Sequence, residues 1–218
     1  LSFATIFVRN IEIKVSDLKL PSKLLENAVN ELSKLPGIGS RTALRLILHL
    51  LGKSKEEASR LGMSIIELVE NVKFCQECHN ITETDLCSIC ADPKRDQSLV
   101  CIVEDIRDMM AIESTLRYKG VYHILGGVIS PVNGVSPNDL TINLLKTRIE
   151  NNNISELIFA LPTTMEGDTT AYYIFRMFGD KVGRLSTLAR GIAFGDQLQY
   201  TDEITLGNSI AERVPYKG

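Results

Sequence analysis

The stretch that divides this chain reads Cys75-Gln76-Glu77-Cys78-His79-Asn80-Ile81-Thr82-Glu83-Thr84-Asp85-Leu86-Cys87-Ser88-Ile89-Cys90. Two Cys-x2-Cys pairs separated by eight residues supply four thiolates, the set that closes a tetrahedral structural zinc site and leaves no position open for a substrate. The segment around them, residues 74–92, is short and polar and cannot build a core from its own side chains. Bound metal would supply the missing folding energy, on the order of 10 kcal/mol or more. Two disulfides or a thioredoxin-like redox pair are the rival readings. Glu12 and Asp17 follow the short apolar start of the chain, so a secretory signal is not expected. The expected location is cytoplasmic, where structural disulfides are rare, and a redox pair would need a βαβ context around the cysteines. His79 could ligate, but four cysteines leave it no vacancy. Cys101 lies in an apolar run and reads as a core residue.

Upstream of the cysteines the pattern is helical. Leu24, Leu25, Ala28, Val29, Leu32 and Leu35 recur at helical spacing. Pro36 interrupts, Gly37-Ile38-Gly39 makes a turn, and Ser40 is expected to cap a second helix reaching about Leu51. A third helix is expected from Ser54 to about Val72, with Ala58, Leu61, Ile65, Leu68, Val69 and Val72 on one face. In the connection, Gly37 and Gly39 let backbone approach a ligand, and the amides at the next helix start can donate to a phosphate oxygen. Arg41 and Arg45 fall on the same helix face beside them. Such contacts bind nucleic-acid backbone without reading sequence. On Gly-x-Gly alone, a tight turn whose glycines only permit packing is an equal alternative.

Downstream, strands and helices alternate. Leu99–Val103 is a continuous apolar run of the buried parallel-strand type. It is followed by a helix over about Asp108–Arg117, a strand at Tyr122–Leu125, a helix over about Asn138–Glu150 and a strand at Leu157–Leu161. A helix over about Thr169–Phe178 and a strand near Val182–Leu188 complete the series. This order predicts a mainly parallel sheet with right-handed crossovers. Functional groups on such sheets gather at the carboxyl ends of strands, here Glu104, Asp105, Gly126, Gly127 and the loop from Pro162 to Asp168. Carboxylates converging from two strand ends, Glu104 with Glu166 and Asp168, are candidates for Mg²⁺. Acids at helix starts also serve as caps, and for Glu104, Asp105, Asp108, Glu166 and Asp168 alike capping and metal binding are equal alternatives. No general base is evident; Tyr118, Tyr122 and His123 are close in sequence only.

Of the 218 residues, 44% are hydrophobic and 23% charged, a globular balance. No apolar run approaches the roughly 18–20 residues that span a bilayer, so no membrane partner is expected. The net charge of −3 excludes a nonspecific polycation. Residues 21–60 carry seven Lys/Arg against four Asp/Glu, a net of +3; residues 1–20 carry +1, which leaves −7 for residues 61–218. A mildly basic head on an acidic body suits a protein that meets phosphate at one end. Between the cysteines there is no Lys or Arg, only Glu77, Glu83 and Asp85, so the cysteine module reads as a rigid joint and not as a DNA-reading finger.

Taken in order, these parts resemble a known family. Leu35-Pro-Gly-Ile-Gly39 resembles a helix-hairpin-helix, and the four-cysteine set and a TOPRIM-like segment containing Glu166-Gly-Asp168-Thr-Thr-Ala follow it. Leu188-Ala-Arg-Gly-Ile192 and Tyr200-Thr-Asp-Glu-Ile-Thr-Leu206 close the series. Together they resemble the RecR family of bacterial recombination mediators over about residues 21–212. The fold so implied is an α/β multidomain chain. A helix-hairpin-helix head spans 21–73, a four-cysteine zinc module 74–92, a TOPRIM-like, mainly parallel domain 98–190, and a short C-terminal oligomerisation tail 191–218. Residues 1–20 form an extension with no family counterpart. The resemblance further implies a noncatalytic DNA-repair protein, a homo-oligomer (dimer or tetrameric ring) that works with RecO and RecF at gapped or junction DNA. Gly37, Gly39, Arg41 and Arg45 would face DNA, Cys75, Cys78, Cys87 and Cys90 would hold one Zn²⁺, and Glu104, Glu166 and Asp168 would serve Mg²⁺ or a partner. The family's Asp-x-Asp pair reads Glu166-x-Asp168 here, and the tail reads Gly191-Ile-Ala-Phe-Gly195-Asp where a Pro and a double Gly are more usual. A Mg²⁺-dependent nuclease or primase-like enzyme, and a zinc-stabilised protein-interaction module, are the alternative functions.

Overall fold

The structure is a computed structural model that describes residues 20–193 and 195–215. The expectation for the N-terminal extension therefore falls, but for Leu20, outside the described residues, as does Phe194 of the tail. The chain divides into two compact units, residues 1–70 and 71–218.

In the first unit, α1 (Lys23–Ser33) packs on α2 (Ser40–Leu51) through Val29 and Ala43, both fully buried. α3 (Lys55–Asn71) follows. Its start carries a capping box: the Ser54 hydroxyl accepts from the Glu57 N–H at 3.2 Å, and the Glu57 carboxylate accepts from the Ser54 N–H at 3.3 Å. None of the α3 residues is buried, and Leu61, Ile65, Leu68 and Val69 stand exposed. One expectation is corrected here. Ser40 does not cap α2; it is the first helical residue, and Gly39, with extended backbone (φ −80°, ψ 162°), occupies the cap.

The second unit opens with the cysteine module, where β1 (Lys73–Phe74) pairs antiparallel with β2 (Ile81–Thr82). The α/β body follows. Its strands are β3 (Asp96–Val103), β4 (Gly120–Ile124), β5 (Glu156–Ala160) and β6 (Arg184–Thr187), all parallel, in the order β4-β3-β5-β6. Ile102 lies in register with His123 on one side and Phe159 on the other. Alternation along β3 sends Val100 and Ile102 to one face and Cys101 and Val103 to the other. On the first face they pack with Leu145 of α5 (Ile142–Asn151) and with Ile174 and Phe178 of α6 (Met165–Phe178). On the second face they pack with Met109 of α4 (Ile106–Ser114). Burial on both faces is why the β3 run of residues 99–103 is apolar without a gap, and Cys101 is a core residue. α7 (Glu203–Ala211) lies in the tail, capped by the Asp202 side chain, which accepts from the Thr205 N–H at 2.9 Å.

The parallel α/β architecture agrees with the expectation, whereas several helix starts do not. α4 begins at Ile106, ahead of Asp108, and stops at Ser114; Leu116 then takes a left-handed conformation. α5 begins at Ile142 and not near Asn138, because residues 137–139 form a separate 3-10 turn closed by Ser136 and Asp139. α6 begins at Met165, four residues before Thr169, because the Thr164 hydroxyl caps it by accepting from the Gly167 N–H at 3.2 Å. Among the described residues no helix is long and apolar enough to cross a membrane.

Candidate functional site

The four cysteines converge. Cys75 and Cys78 flank the turn that joins β1 to β2, where the Cys75 N–H donates to the Asn80 carbonyl at 2.7 Å and the His79 N–H to the Cys75 carbonyl at 2.9 Å. His79 closes this turn with φ 62° and stacks on Phe74, ring centroids 4.4 Å apart, so its ring is committed to packing and does not ligate. Cys87 and Cys90 form a second turn, in which the Ala91 N–H reaches the Cys87 carbonyl at 2.9 Å. All four sulfurs are buried and lie within 4.8 Å of one another. Cys78 and Cys87 are 3.5 Å apart, far beyond a disulfide bond, and all five cysteines are free thiols. A tetrahedron of Zn–S bonds near 2.3 Å has edges of about 3.8 Å, so the set fits zinc. Backbone N–H groups of Cys87 and Cys90 donate to the sulfurs of Cys75 (3.3 Å) and Cys87 (3.5 Å), and spread thiolate charge. Hydrogen bonds from Cys78 and Cys90 pull the Cys87 thiol far down, while Cys78 is pushed up by its bond to Cys87 and by burial. Four sulfurs this close can all be thiolates only around a multivalent cation.

In the head, Gly37 has φ 77° and supplies the left-handed residue that the α1–α2 connection requires. Gly39 has no such need, and a Cβ added there would meet nothing within 4 Å. Packing within the described residues therefore does not explain the bare Gly39, and no side chain caps the first amides of α2. Arg41 and Arg45 are exposed on that helix.

The acidic strand ends behave differently from the Mg²⁺ expectation. Asp105 caps α4, accepting from the Arg107 N–H at 2.7 Å and the Asp108 N–H at 3.4 Å, and Asp108 reaches back to the Asp105 N–H. The Asp105 carboxyl also pairs with the Arg107 guanidinium, which holds it below the usual carboxylate range. Burial and the carboxylates of Asp108 and Asp105 push Glu104 upward. Glu166 and Asp168 sit in the first turn of α6 and not in a loop, and Arg190 engages the Asp168 carboxylate at 2.6 Å. Among the described residues only the cysteines bring three or more His, Cys, Asp or Glu ligand atoms together; Glu104, Glu166 and Asp168 do not form such a set. Gly167, between the two acids, is a packing residue: a Cβ there would lie 2.0 Å from the Pro162 carbonyl oxygen. Asp168 and Arg190 border a cleft of about 750 Å³ at the carboxyl ends of β5 and β6, which Asp202, Thr205 and Asn208 also line.

The residues weighed as proton carriers are structural. The Tyr118 hydroxyl shares its one proton between the Leu99 and Val121 carbonyls, at 3.0 and 3.1 Å. Tyr122 donates to Glu113 at 2.7 Å. His123 is fully buried, holds Thr141 through Nε2, and is pushed down to about 3 by burial and by Arg148. The sequence reading passed over Arg148 and Arg190. A signal existed for the first, a cation three residues after Leu145 on the apolar stripe of α5; Arg190 meets its partner only through the tertiary fold.

Four family models match consecutive segments. They describe a RecR helix-hairpin-helix at residues 25–69, a RecR four-cysteine zinc finger domain at 72–92, a Toprim domain at 98–187 and a RecR C-terminal segment at 191–214. The chain is 57% identical over 199 residues to a Recombination protein RecR of Bacteroides fragilis, covering 91% of this chain and 97% of that protein. It is 52% identical over 200 residues to the RecR of Flavobacterium johnsoniae (92% and 97%) and 53% identical over 195 residues to that of Amoebophilus asiaticus (89% and 98%). More than half of the aligned positions are shared with each of these relatives across nearly their whole length, the four family models match this chain's segments in consecutive order, and the chain belongs to the RecR family.

Proposed function

We propose that this chain is a recombination mediator in DNA repair. It binds gapped and single-strand/double-strand junction DNA in the cytoplasm, acts with RecO and RecF, and turns over no substrate of its own. The observation that carries the reading is the start of α2. Gly39 leaves its first amides without a capping side chain and without a Cβ in the way, and Arg41 and Arg45 stand exposed on the same helix. Amides at a helix start and two guanidinium groups recognise phosphate and carry no base information. Zinc at the four cysteines has the structural role of a closed site. The exposed Leu61, Ile65, Leu68 and Val69 of α3 support assembly as a homo-oligomer, dimer or ring, since a helix with such a face is stable once covered. The engagement of Asp105 with Arg107 and Asp168 with Arg190 supports a partner-facing role for the acidic strand ends and no strand cleavage.

The test is Arg41→Ala with Arg45→Ala in the full chain, titrated onto gapped DNA at several salt concentrations. Binding should weaken for every DNA sequence, and the log–log salt slope should fall by about 1 for each lost phosphate contact. Normal binding by the double variant at moderate salt would remove the hairpin assignment. Cleavage or synthesis on labelled DNA with Mg²⁺, lost in Glu104→Gln, would replace the mediator with an enzyme.

A further inference from the structure

The cysteine module and the α/β sheet share a seam at the outer edge of β4. This strand pairs with β3 on one side only, so its other side carries the backbone groups of an open sheet edge. The Ile124 carbonyl accepts from the Thr141 hydroxyl at 2.7 Å, and two further groups meet the cysteine module and Arg148. The Ile124 N–H donates to the carbonyl of Cys78 at 2.9 Å. The Tyr122 carbonyl accepts from Nη1 of Arg148 at 2.7 Å. Arg148 comes from α5, and its side chain is only 3% exposed. The same Nη1 lies 3.4 Å from the Glu77 carbonyl, and Nε lies 3.6 Å from the Glu77 carboxylate. One buried guanidinium thus grips the sheet edge and a residue between Cys75 and Cys78 together. A buried cation is tolerated only when its donors are engaged, and here Glu77 and Tyr122 engage them. The Glu77 groups are in place only while the turn carrying Glu77 and Cys78 is held.

We propose that Arg148 couples the cysteine centre to the sheet. With zinc on Cys75, Cys78, Cys87 and Cys90, the turn is fixed so that Cys78 and Glu77 close the β4 edge through Arg148; in return, Arg148 slows the loss of zinc. The coupling rests on reading the four cysteines as a zinc centre. By linkage it acts equally in both directions: whatever the engaged Arg148 adds to zinc affinity, bound zinc adds to the stability of the Arg148 contacts with Glu77 and β4. Arg148 is a positioning residue in this scheme, one shell outside the ligands, where partners commonly alter metal affinity about 10–100-fold.

The experiment uses the full-length chain reconstituted with zinc. Zinc content is measured first, then its release to a colorimetric chelator, for wild type, Arg148→Met and Lys146→Met, the last removing an exposed cation from the same helix. Arg148→Met should release zinc about tenfold faster or more, and Lys146→Met at the wild-type rate. Hydrogen exchange followed by mass spectrometry supplies the reverse arm. Stripping zinc from the wild type should raise exchange in β4, Val121–Ile124, more than in β5, Leu157–Phe159. Stoichiometric zinc with a wild-type release rate in folded Arg148→Met overturns the coupling and leaves the zinc reading standing. So does unchanged β4 protection after zinc is stripped, which decides the matter even where Arg148→Met does not fold. Failure of the wild type to take up zinc overturns both.

Discussion

Placing an aspartate at Gly39 should stabilise the helical head and weaken its hold on DNA. The opposed signs follow from the geometry of the α2 start. Gly39 already has the extended backbone of a cap residue, and an added Cβ meets no atom within 4 Å, so the substitution introduces no strain. An aspartate there can accept from the amides of Arg41 or Thr42, the second and third residues of α2. Capping by a side chain in place of glycine contributes a few tenths of a kcal/mol. A negative charge at the helix start contributes about 0.3–1 kcal/mol more, so a gain of about 0.5–1 kcal/mol is expected. Those same amides are the groups assigned to phosphate. A charge-assisted hydrogen bond is worth about 1.5–3 kcal/mol, so losing even one per hairpin lowers affinity about tenfold or more. Repulsion between carboxylate and phosphate adds to the loss. Gly39→Ser separates the two causes, because it caps without charge and should weaken binding less. Urea unfolding gives the stability, and fluorescence anisotropy on a gapped duplex at fixed salt gives the affinity. A Gly39→Asp protein that is more stable and still binds at wild-type strength would refute the assignment of the α2 amides to phosphate.

Two further substitutions test the α/β body. The Glu113 carboxylate takes both Nη atoms of Arg95, at 2.8 and 2.6 Å, together with the Tyr122 hydroxyl, and Arg95 holds its pKa below the ordinary 4.5. A depressed carboxylate contributes stability above its unfolded pKa and loses it as pH falls through the folded value. Glu113→Gln should therefore cost about 2 kcal/mol at pH 7, and the gap to wild type should close as the pH drops below about 4.5. A gap in urea unfolding that stays constant down to pH 3 would show that the ion pair is not its source. Gly167→Ala should cost about 3 kcal/mol, because its Cβ would lie 2.0 Å from a backbone oxygen that cannot rotate away. Gly62→Ala, in open space on exposed α3, should instead add about 0.5–1 kcal/mol. Equal effects of the two alanines on thermal unfolding would mean that close packing at Gly167 is not what distinguishes them.

The parts of this protein that can be read from sequence are those governed by local chemistry. Cysteine spacing announces a metal centre because thiolates must come in pairs on tight turns. The gapless apolar run of β3 announces a strand buried on both faces. The helix starts are harder, since several residues can cap and only the fold decides between them. Thr164 rather than Asp168 begins α6, and so the acids expected in a loop are part of a helix. Asp105 and Asp108, equally suited to metal and to capping, are occupied in a capping box. Long-range partnerships leave little trace. Arg190 lies 22 residues from Asp168, and Arg148 lies 71 from Glu77, and neither spacing has a period that sequence could display.

The pair formed by Asp168 and Arg190 also bears on which carboxylates at these strand ends are open to a cation. The Arg190 guanidinium engages the Asp168 carboxylate at 2.6 Å, so a divalent ion at these strand ends would compete with it for that group. Loss of Arg190 would leave the Asp168 carboxylate without that partner. That loss would also remove an ion pair that borders the cleft lined by Asp202, Thr205 and Asn208. A variant that tests this competition would replace Arg190 and keep Gly167, whose close packing on Pro162 holds the start of α6.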